Sequence, residues 1–120
     1  MAACDLEKKT DKELKKITDE VVRRVLDQND LTIDQIILYG SYARGDAGNG
    51  SDIDIMIICD DNEQDVREYG RFLRREADHV GFDHDIFVQA KVEGKSFFDE
   101  WAEVLPFFKN VKKDGVVLYG

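Results

Sequence analysis

Two carboxylates, Asp52 and Asp54, stand one residue apart in the run Ser51-Asp52-Ile53-Asp54-Ile55-Met56-Ile57-Ile58. If that run is a strand, alternation sends both side chains to the same face. Such a face is not ordinary core, because unpaired buried charges are costly unless something cationic compensates them. A magnesium ion suits the pair, since it takes hard oxygen ligands, commonly one or two carboxylates together with water and substrate phosphates. Upstream, a first apolar run ends at Gly40-Ser41. A glycine there lets backbone approach a phosphate closely, and the Ser41 hydroxyl and neighbouring amides can donate to phosphate oxygens. Arg44, four residues on from Gly40, adds a candidate charge-assisted contact. Together these groups fit a magnesium-bound nucleoside triphosphate. Two ions about 3.5–4 Å apart could hold an attacking oxygen and the phosphates for in-line displacement. The sequence offers no competing nucleophilic triad: it has two histidines, and no serine or cysteine sits in a nucleophile-elbow setting.

The elements that must carry these residues are legible from periodicity. Asp11 to Gln28 reads as a first helix, with Leu14, Ile17, Val21 and Val25 on one face and Thr10 or Asp11 as its cap. Ile33–Tyr39 and Ile53–Cys59 read as strands nearly continuous in apolar residues, hence covered on both sides. Gly40-Ser41 ends the first and Asp52/Asp54 begins the second, so the two strands must be antiparallel for the groups to meet. Asn62 to His79 reads as a helix with Val66, Tyr69, Phe72 or Leu73, Ala77 and Val80 at helical spacing, stopped by a left-handed Gly81. Phe82 to Val88 is the expected third strand, joined to the second by a parallel crossover. That would bring Asp85 beside Asp52 and Asp54, with Asp83 as a rival on the same strand face. Ser96 to Val104 and Pro106 to Lys112 read as two helices, with Phe97, Trp101, Val104, Leu105, Phe108 and Val111 as an apolar stripe that serves mainly as core. Val116 to Tyr119 is a short last strand. No repeat or linker interrupts the chain, which reads as one α+β domain over residues 1–120 with a small mixed sheet flanked by helices.

Composition narrows the partners. The formal net charge of -9 argues against generic binding to nucleic acid or an anionic membrane. No apolar run approaches the length of a membrane span, and the N-terminus lacks the apolar core of a secretion signal, so a cytoplasmic setting is expected. Cys4 and Cys59 are too few and too far apart for a disulfide framework or a zinc site.

Gly40-Ser41, ten residues, then Asp52-Ile53-Asp54 resembles the signature of the DNA polymerase β-like nucleotidyltransferase superfamily. The fuller string GSYARGDAGNGSDIDIMI is most similar to its stand-alone minimal nucleotidyltransferases, often called MNT proteins. The resemblance extends to DHDIFV and the closing DGVVLYG. It implies a polymerase β palm-like fold and transfer of a nucleoside monophosphate, usually AMP from ATP, to a hydroxyl with release of pyrophosphate. By the same resemblance Gly40 and Ser41 bind the triphosphate, with Arg44 at a frequently basic position. Asp52 and Asp54 are shared ligands of two magnesium ions, and Asp85 is the third metal-binding and catalytic carboxylate. MNT proteins are commonly paired with a small helical HEPN-domain protein, which implies an antitoxin adding AMP to a tyrosine of its toxic partner. A non-catalytic module that masks a HEPN partner and a transferase similar to the aminoglycoside-modifying enzymes are the alternatives. The acceptor, the base and any homo-oligomer are not written in the residues.

Overall fold

A computed structural model describes residues 7–120; the Cys4 reading lies outside the described residues. The strands expected from the apolar runs form where the pattern places them, β1 at Ile33–Tyr39 and β2 at Ile53–Cys59. They pair antiparallel, with Tyr39 opposite Asp54 and Leu38 opposite Ile55. Between them lies a single helical turn, α2 (Ser41–Arg44). Helix α1 (Asp11–Leu26) precedes β1, and α3 (Glu63–Asp83) crosses from β2 to β3 (Val88–Gly94), which lies parallel to β2. Two short helices, α4 (Lys95–Trp101) and α5 (Pro106–Asp114), lead to β4 (Val116–Tyr119), antiparallel to β1. The sheet order is β3-β2-β1-β4.

Continuous apolar strands imply helices on both faces, and both are present. Ile53, Ile55, Ile57 and Cys59 join Ile36 and Leu38 in a core with Ile17, Val21 and Val25 of α1 and Leu73, Ala77 and Val80 of α3. The alternate residues Met56 and Ile58, with Ile37 and Tyr39, meet Phe98, Ala102, Phe108 and Val111 from the α4–α5 segment. Burial pushes the Cys59 thiol up to about 12, which leaves it an inert core side chain. The sequence stripe on α4 and α5 is only half core: Phe98 is buried in place of Phe97, while Phe97, Trp101, Val104, Leu105 and Phe107 reach solvent.

Helix α1 starts on a reciprocal cap. Thr10 Oγ1 accepts from the Glu13 amide at 3.1 Å, and Glu13 Oε1 accepts from the Thr10 amide at 3.0 Å. Its far end is tied to α3 through Arg24 Nη1 and Glu76 Oε2 at 2.9 Å, and His84 Nε2 lies 2.8 Å from Glu20 Oε2.

The third strand departs from the sequence reading. Gly81 does not stop α3; it is buried inside the helix, which continues to Asp83. The glycine is needed for a close approach, since a Cβ there would sit 2.5 Å from the Ile86 carbonyl oxygen and 3.0 Å from the Val88 nitrogen. The left-handed residue is instead Asp85, at φ 54, where the chain turns from α3 toward β3. Aspartate tolerates that backbone better than most side chains. Residues 84–87 therefore form a turn, Phe82 at the end of α3 and Phe87 are exposed, and β3 begins six residues later than expected, at Val88. Gly81→Ala is expected to lower stability by roughly 1–3 kcal/mol through overpacking. Chemical denaturation checks this, and an unchanged midpoint would contradict the close approach.

Candidate active site

The antiparallel β1–β2 pair brings the two halves of the Gly-Ser and Asp-x-Asp pattern together at one end of the sheet. Tyr39 is in register with Asp54, so Gly40, the next residue, passes directly over the Asp54 carboxylate. Gly40 has φ 79 and ψ −159, a conformation confined almost wholly to glycine. A Cβ there would collide with Asp54 Oδ2 and lie 3.2 Å from its Cγ. The absent side chain thus preserves the space between the loop backbone and the carboxylate. Gly45, at φ 80, closes α2 with its amide on the Ser41 carbonyl. Tyr42 anchors the turn from beneath: it is buried, and its hydroxyl accepts from the Lys9 amide at 2.9 Å.

Asp52 and Asp54 alternate onto the β2 face that continues into Met56 and Ile58, and both are half-buried. Burial, and then the neighbouring Asp52 charge, raise the Asp54 carboxyl above its ordinary value, while Lys91 and Arg44 pull it down. Two hard oxygen ligands on one strand face, with an adjoining gap and incomplete charge compensation, fit a divalent cation. Arg44 is half-exposed and its Nε lies 3.2 Å from Asp46 Oδ2. It therefore reaches the site as a nearby charge rather than through a hydrogen bond to either carboxylate.

Asp85 does not join the pair. It lies in the turn before β3, and no group of three or more His, Cys, Asp or Glu side chains able to hold a metal ion forms among the described residues. Because β3 begins three residues after Asp85, the residue in register with Asp54 is Gln89, and Asp85 stands ahead of the strand. Asp83 also leaves the assigned strand face. It ends α3, with its Oδ2 3.9 Å from Arg24 Nη2.

The β3 residues that do face the site were missed from sequence. Gln89 pairs in register with Asp54 and donates from Nε2 to Asp52 Oδ2 at 2.7 Å. Lys91, two residues on, holds its ammonium 5.5 Å from the Phe107 ring centroid. The alternation Val88-Gln89-Ala90-Lys91-Val92-Glu93 was the available signal, since it places three polar side chains on one face. Tyr39 borders the site from β1; burial and the Asp54 charge push its phenol up to about 12. Two depressions adjoin these groups. One of about 210 Å³ includes Gly40, Arg44, Phe107 and Asn110; the other, about 610 Å³, includes Phe82, Asp85, Phe87 and Gln89.

With this geometry in place, the pattern that defines the nucleotidyltransferase domain matches residues 14–119. The chain belongs to the nucleotidyltransferase domain family. A protein of Methanocaldococcus jannaschii, provisionally named protein adenylyltransferase MJ0604, is 35% identical over 91 residues, covering 72% of this chain and 79% of the relative. Among solved structures, a provisionally assigned nucleotidyltransferase from Sulfolobus solfataricus superposes with a TM-score of 0.54 at 25% identity. That match covers 87% of this chain and 78% of the other. A toxin-antitoxin structure with AMP-PNP shares the fold, with a TM-score of 0.51 at 21% identity over 88% of this chain and 73% of that one. The nucleotidyltransferase assignment agrees with the resemblance carried by the Gly-Ser and Asp-x-Asp residues. The mixed four-stranded sheet agrees with the α+β expectation. No helix among the described residues is long and apolar enough to cross a membrane.

Proposed function

We propose that this nucleotidyltransferase moves AMP from ATP to a hydroxyl of a partner protein, with Asp52 and Asp54 holding the divalent cation. The observation that supports the reading is the close apposition of Gly40 and Asp54, a side-chain-free loop backbone suited to a phosphate beside a carboxylate suited to a cation. A magnesium ion, when bound by that pair, would supply charge neutralisation for the polyphosphate and acidify the acceptor hydroxyl. The chain's own residues position the rest. Gly40 leaves the room that a side chain would fill, and the Ser41 hydroxyl and the first free amides of α2 donate to phosphate oxygens. Arg44 and Lys91, whose charges both act on Asp54, offset phosphate charge. The acceptor oxygen attacks the α-phosphorus, forming the new P–O ester. The bond from that phosphorus to the bridging oxygen breaks, pyrophosphate leaves, and the hydroxyl proton passes to solvent or a nearby base.

The adenylyl donor and protein acceptor are favoured by the name of the Methanocaldococcus relative. A cytoplasmic HEPN-domain toxin is the specific acceptor proposed, with a tyrosine hydroxyl as the modified group; the fold shared with the AMP-PNP-bound toxin-antitoxin structure makes it the first partner to try. The test mixes protein, magnesium, ATP labelled at the α-phosphate and a candidate HEPN-domain protein. Covalent transfer of label to the partner is expected. Stable partner binding without transfer across metals and nucleotides would favour a masking module instead.

A further inference from the structure

On its β3 side the carboxylate pair is flanked by two aromatic side chains that the transfer chemistry leaves unused. Phe82 is 84% exposed and Phe87 55%, and both line the depression of about 610 Å³ that also takes in Asp85 and Gln89. Gln89 joins that depression to the site, since its Nε2 donates to Asp52 Oδ2 at 2.7 Å. Phe87 is fixed there too, because the amide of Ile53, the residue between the two acids, donates to the Phe87 carbonyl at 2.9 Å. Ile86 and Val88 are buried while Phe87 and Gln89 are exposed, the alternation of an extended segment, so the ring and the carboxamide share a face. The turn before them is braced. Ile86 donates its amide to the Gly81 carbonyl at 3.0 Å, and His84 Nε2 lies 2.8 Å from Glu20 Oε2. Exposed rings on such a backbone lose little freedom when a ligand packs on them.

The two flanks of the pair differ in charge. Toward β1 lie Gly40 and Arg44, a setting for polyphosphate. Toward β3 the depression is lined by Asp78 and Asp85 and, among the described residues, by no Lys or Arg. It repels phosphate and suits a neutral group with an apolar body. Its size is that of a small-ligand pocket, about 300–1,000 Å³. A serine or threonine acceptor would leave both phenylalanine faces in water, whereas a phenol packs its ring against them and keeps a polar tip for the carboxylates. We propose that Phe82 and Phe87 seat the ring of an acceptor tyrosine, so that this depression selects tyrosine over aliphatic hydroxyls. This rests on the AMP-transfer reading above. The phenol oxygen bonds to the α-phosphorus as the bond from that phosphorus to the bridging oxygen breaks; pyrophosphate leaves, and the phenol proton passes to solvent or a nearby base.

The probe for the depression is N-acetyltyrosinamide, titrated into the intact chain and followed by amide NMR. Shifts centred on residues 81–89 are expected, with N-acetylserinamide producing none. Phe82→Ala and Phe87→Ala should each weaken tyrosinamide binding roughly tenfold, through loss of ring packing, and Phe87→Tyr should retain it. Because both rings are exposed, the melting temperature should not move. With magnesium, ATP and the candidate HEPN-domain protein, the same Ala variants should raise the KM for the acceptor by about tenfold and leave that for ATP unchanged. Shifts centred on Gly40 to Arg44, no shift at all, or an acceptor KM indifferent to both replacements would overturn the proposal, while label transfer by the parent would keep the AMP-transfer reading standing. A raised KM for ATP beside an unchanged acceptor KM would give the rings to the nucleobase and overturn it as well. If the parent labels neither the HEPN-domain protein nor tyrosinamide, the AMP-transfer reading fails and the acceptor role fails with it.

Discussion

Asp54→Asn should abolish label transfer while making the folded chain more stable at pH 7. The loss follows from removing a direct cation ligand and should exceed the roughly hundredfold penalty of disturbing an outer-shell partner. The gain follows from electrostatics. Burial first, and the adjacent Asp52 second, raise the Asp54 carboxyl above its ordinary value of 3.8. Its folded form therefore holds a proton more tightly than the unfolded chain does. The associated stability is fully present below the unfolded value and is lost as pH rises through the raised folded value. At neutral pH the half-buried carboxylate is ionised and opposes folding, whereas the amide has nearly the same shape and no charge. The melting temperature of Asp54→Asn should accordingly exceed the parent's by a few degrees at pH 7, with the gap shrinking toward pH 4. Thermal melts in chelator across that range check the sign. A variant that is less stable at pH 7, or that still transfers AMP, would remove Asp54 from the role assigned to it.

Gly40→Ala is expected to cost both stability and activity, for two separable reasons. The backbone at φ 79 and ψ −159 is strained for any residue with a Cβ, by about 1–3 kcal/mol. In addition, that Cβ would occupy space now held by Asp54 Oδ2. Gly45→Ala is the matched control: its φ is 80, yet no atom lies within 4 Å of the added carbon. Strain alone should make Gly45→Ala less stable by roughly 1–2 kcal/mol and leave most transfer intact. The Gly40 variant should transfer at least about a hundredfold more slowly even where enough folded protein remains. Denaturation midpoints and initial rates measured on both variants give the comparison. Equal loss of activity at the two positions would mean that loop strain, rather than the space over Asp54, is what the glycine protects.

Much of the fold was legible because the second half of β1 and nearly all of β2 are buried, so those stretches are almost wholly apolar. The pairing of Gly40 with Asp54 followed from where those runs end and begin. The Thr10 cap and the Pro106 start of α5 were likewise local signals that tertiary packing left untouched. What failed was the stretch from Gly81 to Val88. Its apolar residues Phe82 and Phe87 suggested a strand, yet they are 84% and 55% exposed. A glycine chosen for helix-to-turn packing is indistinguishable in sequence from one chosen to end a helix. The true β3 lies at the sheet edge, where half of its side chains are polar. Such a strand announces itself through alternation rather than hydrophobicity. Misplacing it by six residues hid Gln89 as a neighbour of Asp52 and Asp54, which only the register could reveal. The α4–α5 stripe failed more mildly, since Phe97 and Phe98 offer helical periodicity two adjacent ways to satisfy it.

The shared face of Asp52, Asp54, Met56 and Ile58 has a consequence for how errors in this molecule can arise. Slipping β2 by a single residue against β1 would swing both acids toward the Ile17, Val21 and Leu73 side and expel Ile53 and Ile55 from it. A chain folded that way would carry bare charges in its interior, so the hydrophobic packing itself proofreads the alignment on which the chemistry depends. Misaligned yet well-folded molecules are excluded from the population, and every properly assembled copy emerges with its acids already in place.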